Sequence, residues 1–382
     1  MRRTFLLGTC LTVSLALVGC QDSATGPQRA SAVASSLSSQ VALSIDTTLS
    51  AAQIRLPESA WLSDHRVIDP RDYQCPPSTE VISWYIKQIA DVRTKEPAIF
   101  TTLFTNLLAD LIPTYEAALF QTTDTPQYFG YNGEYTKIML KAERDVKRFW
   151  DIPSSDIQLL AMHGTVLLDV ERTAATYQVL FGLSPATALA IAQTVRNALL
   201  QSQTLNGGNH AIFSFNAFAF TFTSPTIPDK IVMGDGLLEG FDAVGLSDVA
   251  AQAVYAHEFA HQIQIENDYF DDLYATTGSA AERTRYTELM ADAMAAYYLT
   301  HKRGATMNQK RVEQFLQIYY QLGDCGFTSS GHHGTPNQRL ASAQFGFDLA
   351  DQAQKQGHIL TAEEFHALFV AAYPQLIAPD AR

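Results

Sequence analysis

Hydrophobic positions recur at helical spacing along most of this chain. Val81, Ile82, Tyr85, Ile86 and Ile89 form one stripe, and Leu103, Leu107, Leu108 and Leu111 form the next, so residues 78–203 read as helical. Ser184-Pro185 opens a helix through about residue 203, with proline in its first turn. Two later runs read as helices, 254–265 as an apolar run and 280–301 as one rich in good helix formers. Ser279 and Glu282 are spaced as a capping box at the start of the second. Further helices are expected over 308–322, stopped at Gly323, from Thr335-Pro336-Asn337-Gln338 to about residue 355, and from Thr361 with Glu364 to Pro374. One segment has a different period. Ile212, Phe213, Phe215, Phe218, Phe220 and Phe222 interleave with small or polar residues, which predicts a strand over 210–222 with room for a bulge at Asn216-Ala217. Residues 231–233 are expected to pair with it. The fold class that follows is mainly α with a small β-sheet (α+β), and no repeat of 20 to 50 residues is visible.

The N-terminus changes the picture of where the chain resides. Arg2 and Arg3 precede an apolar run over residues 5–18 that ends in Leu17-Val18-Gly19-Cys20, the form of a lipobox with Cys20 placed for lipidation. The run is short for a transmembrane helix, and residues 21–50, rich in Ser, Ala, Thr and Gln, read as a flexible tether. The organisation expected is therefore a lipoprotein leader over 1–19, a tether over 20–50, a helical N-terminal region over 51–203 and a second domain over 204–382. Such a chain would face the periplasm or exterior of a bacterial envelope, attached to the membrane by its lipid, with the outer membrane favoured. The net charge of −13 becomes −15 without the two leader arginines, which argues against nucleic-acid binding. Of four cysteines, Cys10 leaves with the leader and Cys20 is the lipidation site. Cys75 and Cys325, each in a loop-like context, are expected to pair in an oxidising compartment.

The candidate chemistry lies in the two apolar helices. His257 and His261 are four positions apart and share one helical face, so both imidazoles can reach one metal ion. Glu258 sits on the flank of that face, free to take a proton from the attacking water. Glu288 is the best candidate for a third ligand, and Asp292, one turn on, could receive the free ring N–H of a ligand histidine. Carboxylates among Leu289, Met290, Ala291, Ala293 and Met294 need partners. Asp268, Asp271 and Asp272 in the acidic connector are competing ligands, while Gln264 and Asn267 exclude the variant of the motif that ends in a third histidine.

These motifs resemble the gluzincin endopeptidases that include the CAAX prenyl proteases, the heat-shock membrane proteases and periplasmic assembly lipoproteins. The resemblance covers roughly residues 205–350. It rests on Asn216-Ala217-Phe218-Ala219, residues 231–238, Ala256-His257-Glu258-Phe259-Ala260-His261 and Glu288-Leu289-Met290-Ala291-Asp292. His333-Gly334-Thr335-Pro336-Asn337-Gln338-Arg339 is similar to a later His/Pro/Arg element, also reminiscent of the neutral zinc metallopeptidases. The resemblance implies a zincin-like core with two active-site helices wrapped by others, one Zn²⁺ on His257, His261 and Glu288, and Glu258 as general base. It further implies Asp292 as support behind the ligands, His333 and Arg339 near the transition-state oxyanion, and Asn216 to Ala219 as the strand that holds a protein or peptide substrate. Gly334-Thr335 is inserted between the histidine and proline of the element, which leaves His332 and His333 both open for the oxyanion role. The function expected is a lipid-anchored zinc endopeptidase. The alternatives are a non-catalytic assembly or chaperone lipoprotein and a peptidoglycan amidase or hydrolase.

Overall fold

The structure is a computed structural model that describes residues 73–221, 228–327, 329–354 and 358–380. Cys20, the lipobox and the tether lie outside the described residues. Helix α1 (Glu80–Lys95) carries the first hydrophobic stripe and buries Val81, Tyr85 and Val92, and the short α2 (Pro97–Phe100) follows. The leucine stripe does not continue as one α-helix. A π-helical turn over Thr101–Asn106 runs into Leu108, whose φ of 50° is left-handed, and a 3-10 turn leads on to α3 (Ile112–Leu119). A left-handed residue stops a right-handed helix, and the spacing of leucines carries no sign of it.

Helices α4 (Thr136–Phe149), α5 (Val170–Phe181) and α6 (Pro185–Gln201) complete the first half, with the Ser184 side chain accepting the Thr187 N–H at the start of α6 as its sequence suggests. Between α4 and α5 lies strand β1 (Gln158–Met162), inside the region whose pattern reads as helical. Leu159, Leu160, Ala161 and Met162 are all buried. A strand covered on both faces has no polar alternation to distinguish it from a piece of buried helix.

Strands β2 (Ala217–Phe220) and β3 (Lys230–Gly234) complete a three-stranded sheet in the order β1-β3-β2, with β1 parallel and β2 antiparallel to β3. Val232 faces Leu160 on one side and Phe218 on the other, so residues 231–233 do pair with the aromatic segment. That segment is a strand only in its second half. Its first half folds into a 3-10 turn (Ala211–Phe213), because His210 Nδ1 accepts the Ile212 N–H while Phe213 and Ser214 bond back to the carbonyls of His210 and Ala211. Local turn bonds here displace the ladder that alternation alone suggests.

The second half adds α7 (Asp235–Ala243), α8 (Ser247–Glu266), α9 (Leu273–Thr276), α10 (Ala280–Thr300), α11 (Gln309–Gln321), α12 (Pro336–Gln354) and α13 (Ala362–Leu376), thirteen α-helices among the described residues. The capping boxes Ser279/Glu282 and Thr361/Glu364 are both complete. Helices α8 and α10 occupy the centre. Tyr255, Phe259 and Ile263 of α8 and Leu289, Met290, Ala293 and Tyr297 of α10 share one core with Val81, Met139, Val146 and Phe365. The regions before and after residue 203 thus share one sheet and one core.

Three close contacts hold α8 and α10 in place. Gln262 donates to the Lys230 carbonyl at 2.9 Å, tying α8 to β3. A Cβ at Gly346 would lie 2.0 Å from the Ala293 carbonyl oxygen, so α12 approaches α10 backbone to backbone, which glycine alone allows. Ser342 Oγ donates to the Leu289 carbonyl in the same contact. The Cys75–Cys325 disulfide is formed as expected, with Cα atoms 5.9 Å apart. Among the described residues no helix is long and apolar enough to cross a membrane.

Candidate metal centre

Helical geometry on α8 places His257 and His261 one turn apart, with their Nε2 atoms 3.2 Å from each other. Helix α10 brings Glu288 against the pair: Oε2 lies 3.3 Å from His257 Nε2 and Oε1 lies 3.4 Å from His261 Nε2. Ligand atoms of the three residues fall within 4.8 Å of one another, a group that could hold a metal ion. His257 is buried, whereas His261 and Glu288 are partly exposed, so the group opens to solvent on one side.

The acidic connector does not compete. Asp268 takes a left-handed conformation after α8 and Asp271 lies in a 3-10 turn. Asp272 is turned onto His366 Nε2 at 2.8 Å and onto the Tyr286 hydroxyl. Tyr286 lies two residues before Glu288, so Asp272 fixes the start of α10 and leaves the metal group to the other carboxylate.

Each histidine is backed by a group on its other ring nitrogen. His257 Nδ1 is 2.9 Å from Asp292 Oδ1, a charge contact that is close without being an aligned hydrogen bond. Asp292 is fully buried, and both its oxygens accept from Arg339, Nε and Nη2 each donating at 2.7 Å. Two parallel charged bonds fix a carboxylate in both position and plane. Arg339 also donates to the Leu322 carbonyl at 3.3 Å and lies 3.6 Å from Glu288 Oε2. The resemblance puts Arg339 near the oxyanion; in the structure it is buried, with Nε and Nη2 on Asp292 and Nη1 beside Glu288.

His261 Nδ1 stands 2.9 Å from Gln264 Oε1, and the Gln264 amide in turn donates to the Thr287 carbonyl at 2.7 Å. Gln264 enters the sequence reading only as the residue that excludes a third histidine. Its i, i+3 spacing from His261 is the signal that could have identified it. Loss of such support costs roughly 10- to 100-fold in metal affinity. Gln264→Ala is therefore expected to weaken metal binding by about that factor, measured by competition with a chromogenic chelator. Unchanged affinity would remove Gln264 from the site.

Charge at the centre is set by burial and by these neighbours. Glu258 is buried and accepts no hydrogen bond from a described residue. Burial pushes its carboxyl above the ordinary range, and the charges of His257 and His261 only partly offset this. A carboxylate so placed holds a proton more readily than one in water. Burial acts in the same direction on Glu288, but there His333, His257 and His261 prevail and hold it well below the ordinary range.

A loop after α11 closes the centre on another side. Asp324 Oδ1 receives His332 Nδ1 at 2.8 Å, while Oδ2 receives the His333 backbone N–H at 2.7 Å and stands 3.2 Å from His333 Nδ1. His332 is fully buried, with no partner on Nε2. His333 is partly exposed, and its charge helps to hold the Glu288 carboxyl low. Gly334, next in the chain, packs on Leu289 and Arg285 of α10. It has a φ of 99°, which turns the chain back toward α12. Asp324 escapes a reading by motif, since it lies eight and nine residues from its partners and outside any helix.

On the remaining side, Ala217, Phe218 and Ala219 lie in β2, and Asn216 just precedes it, its carbonyl accepting the Gly234 N–H at 2.9 Å. β2 packs on α8. Among the described residues it pairs only with β3, at one end of the sheet order. Comparison with protein-family models, with curated proteins and with solved structures returns no match to this chain.

Proposed function

We propose that this chain is a zinc endopeptidase held by an N-terminal lipid on Cys20 at the bacterial envelope. One observation carries the reading: His257 Nε2, His261 Nε2 and Glu288 oxygens stand 3.2 to 3.4 Å apart. Bonds of about 2.0 to 2.1 Å at tetrahedral angles would separate such ligand atoms by roughly 3.3 Å. Two imidazoles and one carboxylate, with one side open, are also the donor set of catalytic rather than structural zinc sites. When bound there, zinc would polarise a peptide carbonyl and acidify a water molecule.

The chain's own residues supply the rest. Glu258 takes the proton of the attacking water and passes it to the leaving amine, a task suited to a buried carboxylate with raised proton affinity. His333 donates a hydrogen bond to the carbonyl oxygen as charge develops on it. Strand β2, packed on α8, holds the substrate main chain in extended form, which aligns the scissile bond with the ligand face of α8. Asp292 and Gln264 keep the two imidazoles aimed, and Arg339 keeps Asp292 fixed in position and plane.

The test is metal analysis of the purified soluble domain together with digestion of casein before and after a chelator. The expected result is about one zinc per chain and proteolysis that the chelator abolishes and zinc restores. A metal-replete protein that leaves casein and other unfolded proteins intact would reject the catalytic reading.

A further inference from the structure

The described residues of the loop that carries His333, Leu322 to Phe327 and Ser329 to Thr335, have no regular secondary structure. Most of its bonds are internal: Asp324 N–H to the Gly334 carbonyl, Gly326 N–H to Asp324 Oδ1, and Ser329 and His332 N–H to carbonyls within the loop. Its covalent tie to the rest of the molecule is the disulfide at Cys325, next in sequence to Asp324. The partner, Cys75, is exposed. From the same side Tyr73 packs on Phe327 with ring centres 5.5 Å apart, and Phe327 packs on His332 at 5.0 Å. The strap that bears Cys75 is anchored independently of the disulfide. Tyr73 Oη donates to the Ile377 carbonyl, Thr79 Oγ1 to the Gln321 carbonyl, and Val81 N–H to Gln321 Oε1.

We infer that the Cys75–Cys325 disulfide is a redox latch on this site. It acts through Asp324 to hold His333 beside α10, where the next residue, Gly334, packs on Arg285 and Leu289, so that the oxidised chain turns over and the reduced chain keeps its metal but loses rate. The inference rests on the endopeptidase reading. Chemically, a thiolate of an external dithiol attacks the exposed Cys75 sulfur, the S–S bond breaks, and Cys325 leaves as a thiolate that takes up a proton. The second thiol of the reductant then displaces Cys75, so that the dithiol becomes a cyclic disulfide and the protein gains two electrons and two protons. Neither cysteine lies on α8 or α10, and the loop keeps the bonds from Thr284 Oγ1 to the Ser330 carbonyl and from Arg339 to the Leu322 carbonyl. The ligands stay in place while the loop loses its cross-link.

The experiment uses the zinc-loaded chain, oxidised or reduced with a phosphine, which takes oxygen from water as it yields the two thiols. A Cys75→Ser/Cys325→Ser variant is run beside it, and thiol counting confirms each state. Reduction is expected to lower kcat by roughly 10- to 100-fold, the order of a lost oxyanion donor, with zinc stoichiometry unchanged and the rate restored on reoxidation. In a His333→Ala chain, reduction should cause no further loss, which a merely structural disulfide would not spare. Amide exchange over residues 322–335 should accelerate about 10-fold or more on reduction while α8 and α10 stay protected. Equal kcat in both states, loss of zinc on reduction, or an equal further loss in His333→Ala would each overturn the latch. If the oxidised chain hydrolyses nothing, the endopeptidase reading fails, and the exchange measurement alone then decides whether the disulfide holds the loop. Unchanged exchange over 322–335 would reject it.

Discussion

Glu258→Gln is expected to retain a full complement of metal and to lose hydrolysis by roughly 10²- to 10⁴-fold or more, the range that proton transfer by a positioned side chain supplies. The amide has nearly the shape of the carboxylate, so the packing around a buried residue is kept and only the proton acceptor is removed. The ligand atoms belong to His257, His261 and Glu288, none of which bonds to Glu258. Zinc content and kcat measured on one preparation separate the two properties. A variant that hydrolyses peptides at the original rate would show that the base lies elsewhere, and one that loses its metal would make Glu258 a ligand. Glu288→Ala is the complementary change. It should lose metal and activity together, whereas Asp268→Ala and Asp271→Ala should lose neither, because neither carboxylate belongs to the group.

The second large effect is expected at Arg339→Met, and it is one of stability. Asp292 is 0% exposed and takes both its charged bonds from this guanidinium. Removing one partner of a buried pair leaves an uncompensated charge, at a cost of roughly 3 to 5 kcal/mol. Urea unfolding of Arg339→Met should show a loss of this order. The double variant Arg339→Met/Asp292→Leu should recover much of it, since a buried pair replaced by apolar groups is often neutral. Metal affinity should not recover with it, because His257 Nδ1 then has no carboxylate beside it. A single variant as stable as the original chain would mean that Asp292 is neutral or reaches water. A double variant with full metal affinity would remove Asp292 from the support of His257.

Local spacing in the sequence determined a good deal of this molecule. Hydrophobic period places α1 and α11, apolar or helix-forming runs place α8 and α10, and cap or first-turn residues place α6, α12 and α13, because helix geometry is written in near neighbours along the chain. The capping pairs Ser279/Glu282 and Thr361/Glu364 are legible for the same reason. So is the metal group: His257 with His261 and Glu288 with Asp292 are each i, i+4 pairs, and two helices so marked can hardly bury their polar groups except against one another. The pairing of Cys75 with Cys325 follows from their being the two cysteines left over.

Tertiary structure decided what spacing cannot carry. Strand β1 is covered on both faces, so its run of Leu159 to Met162 has no period, and only its parallel pairing with β3 defines it. The left-handed Leu108 and the turn at His210 depend on single backbone angles and local hydrogen bonds that hydrophobic pattern does not record. Asp272 and Glu288 are alike as side chains. It is the folding of the connector onto Tyr286 and His366 that removes one and leaves the other to the metal group. Arg339 lies 47 residues from Asp292 and meets it only because Gly346 lets α12 press against α10. Asp324 likewise becomes the support of His332 and His333 through a loop with no period at all. Contacts of this kind are set by which surfaces remain to be buried once the helices have formed, a property of the whole packed chain that no local window contains.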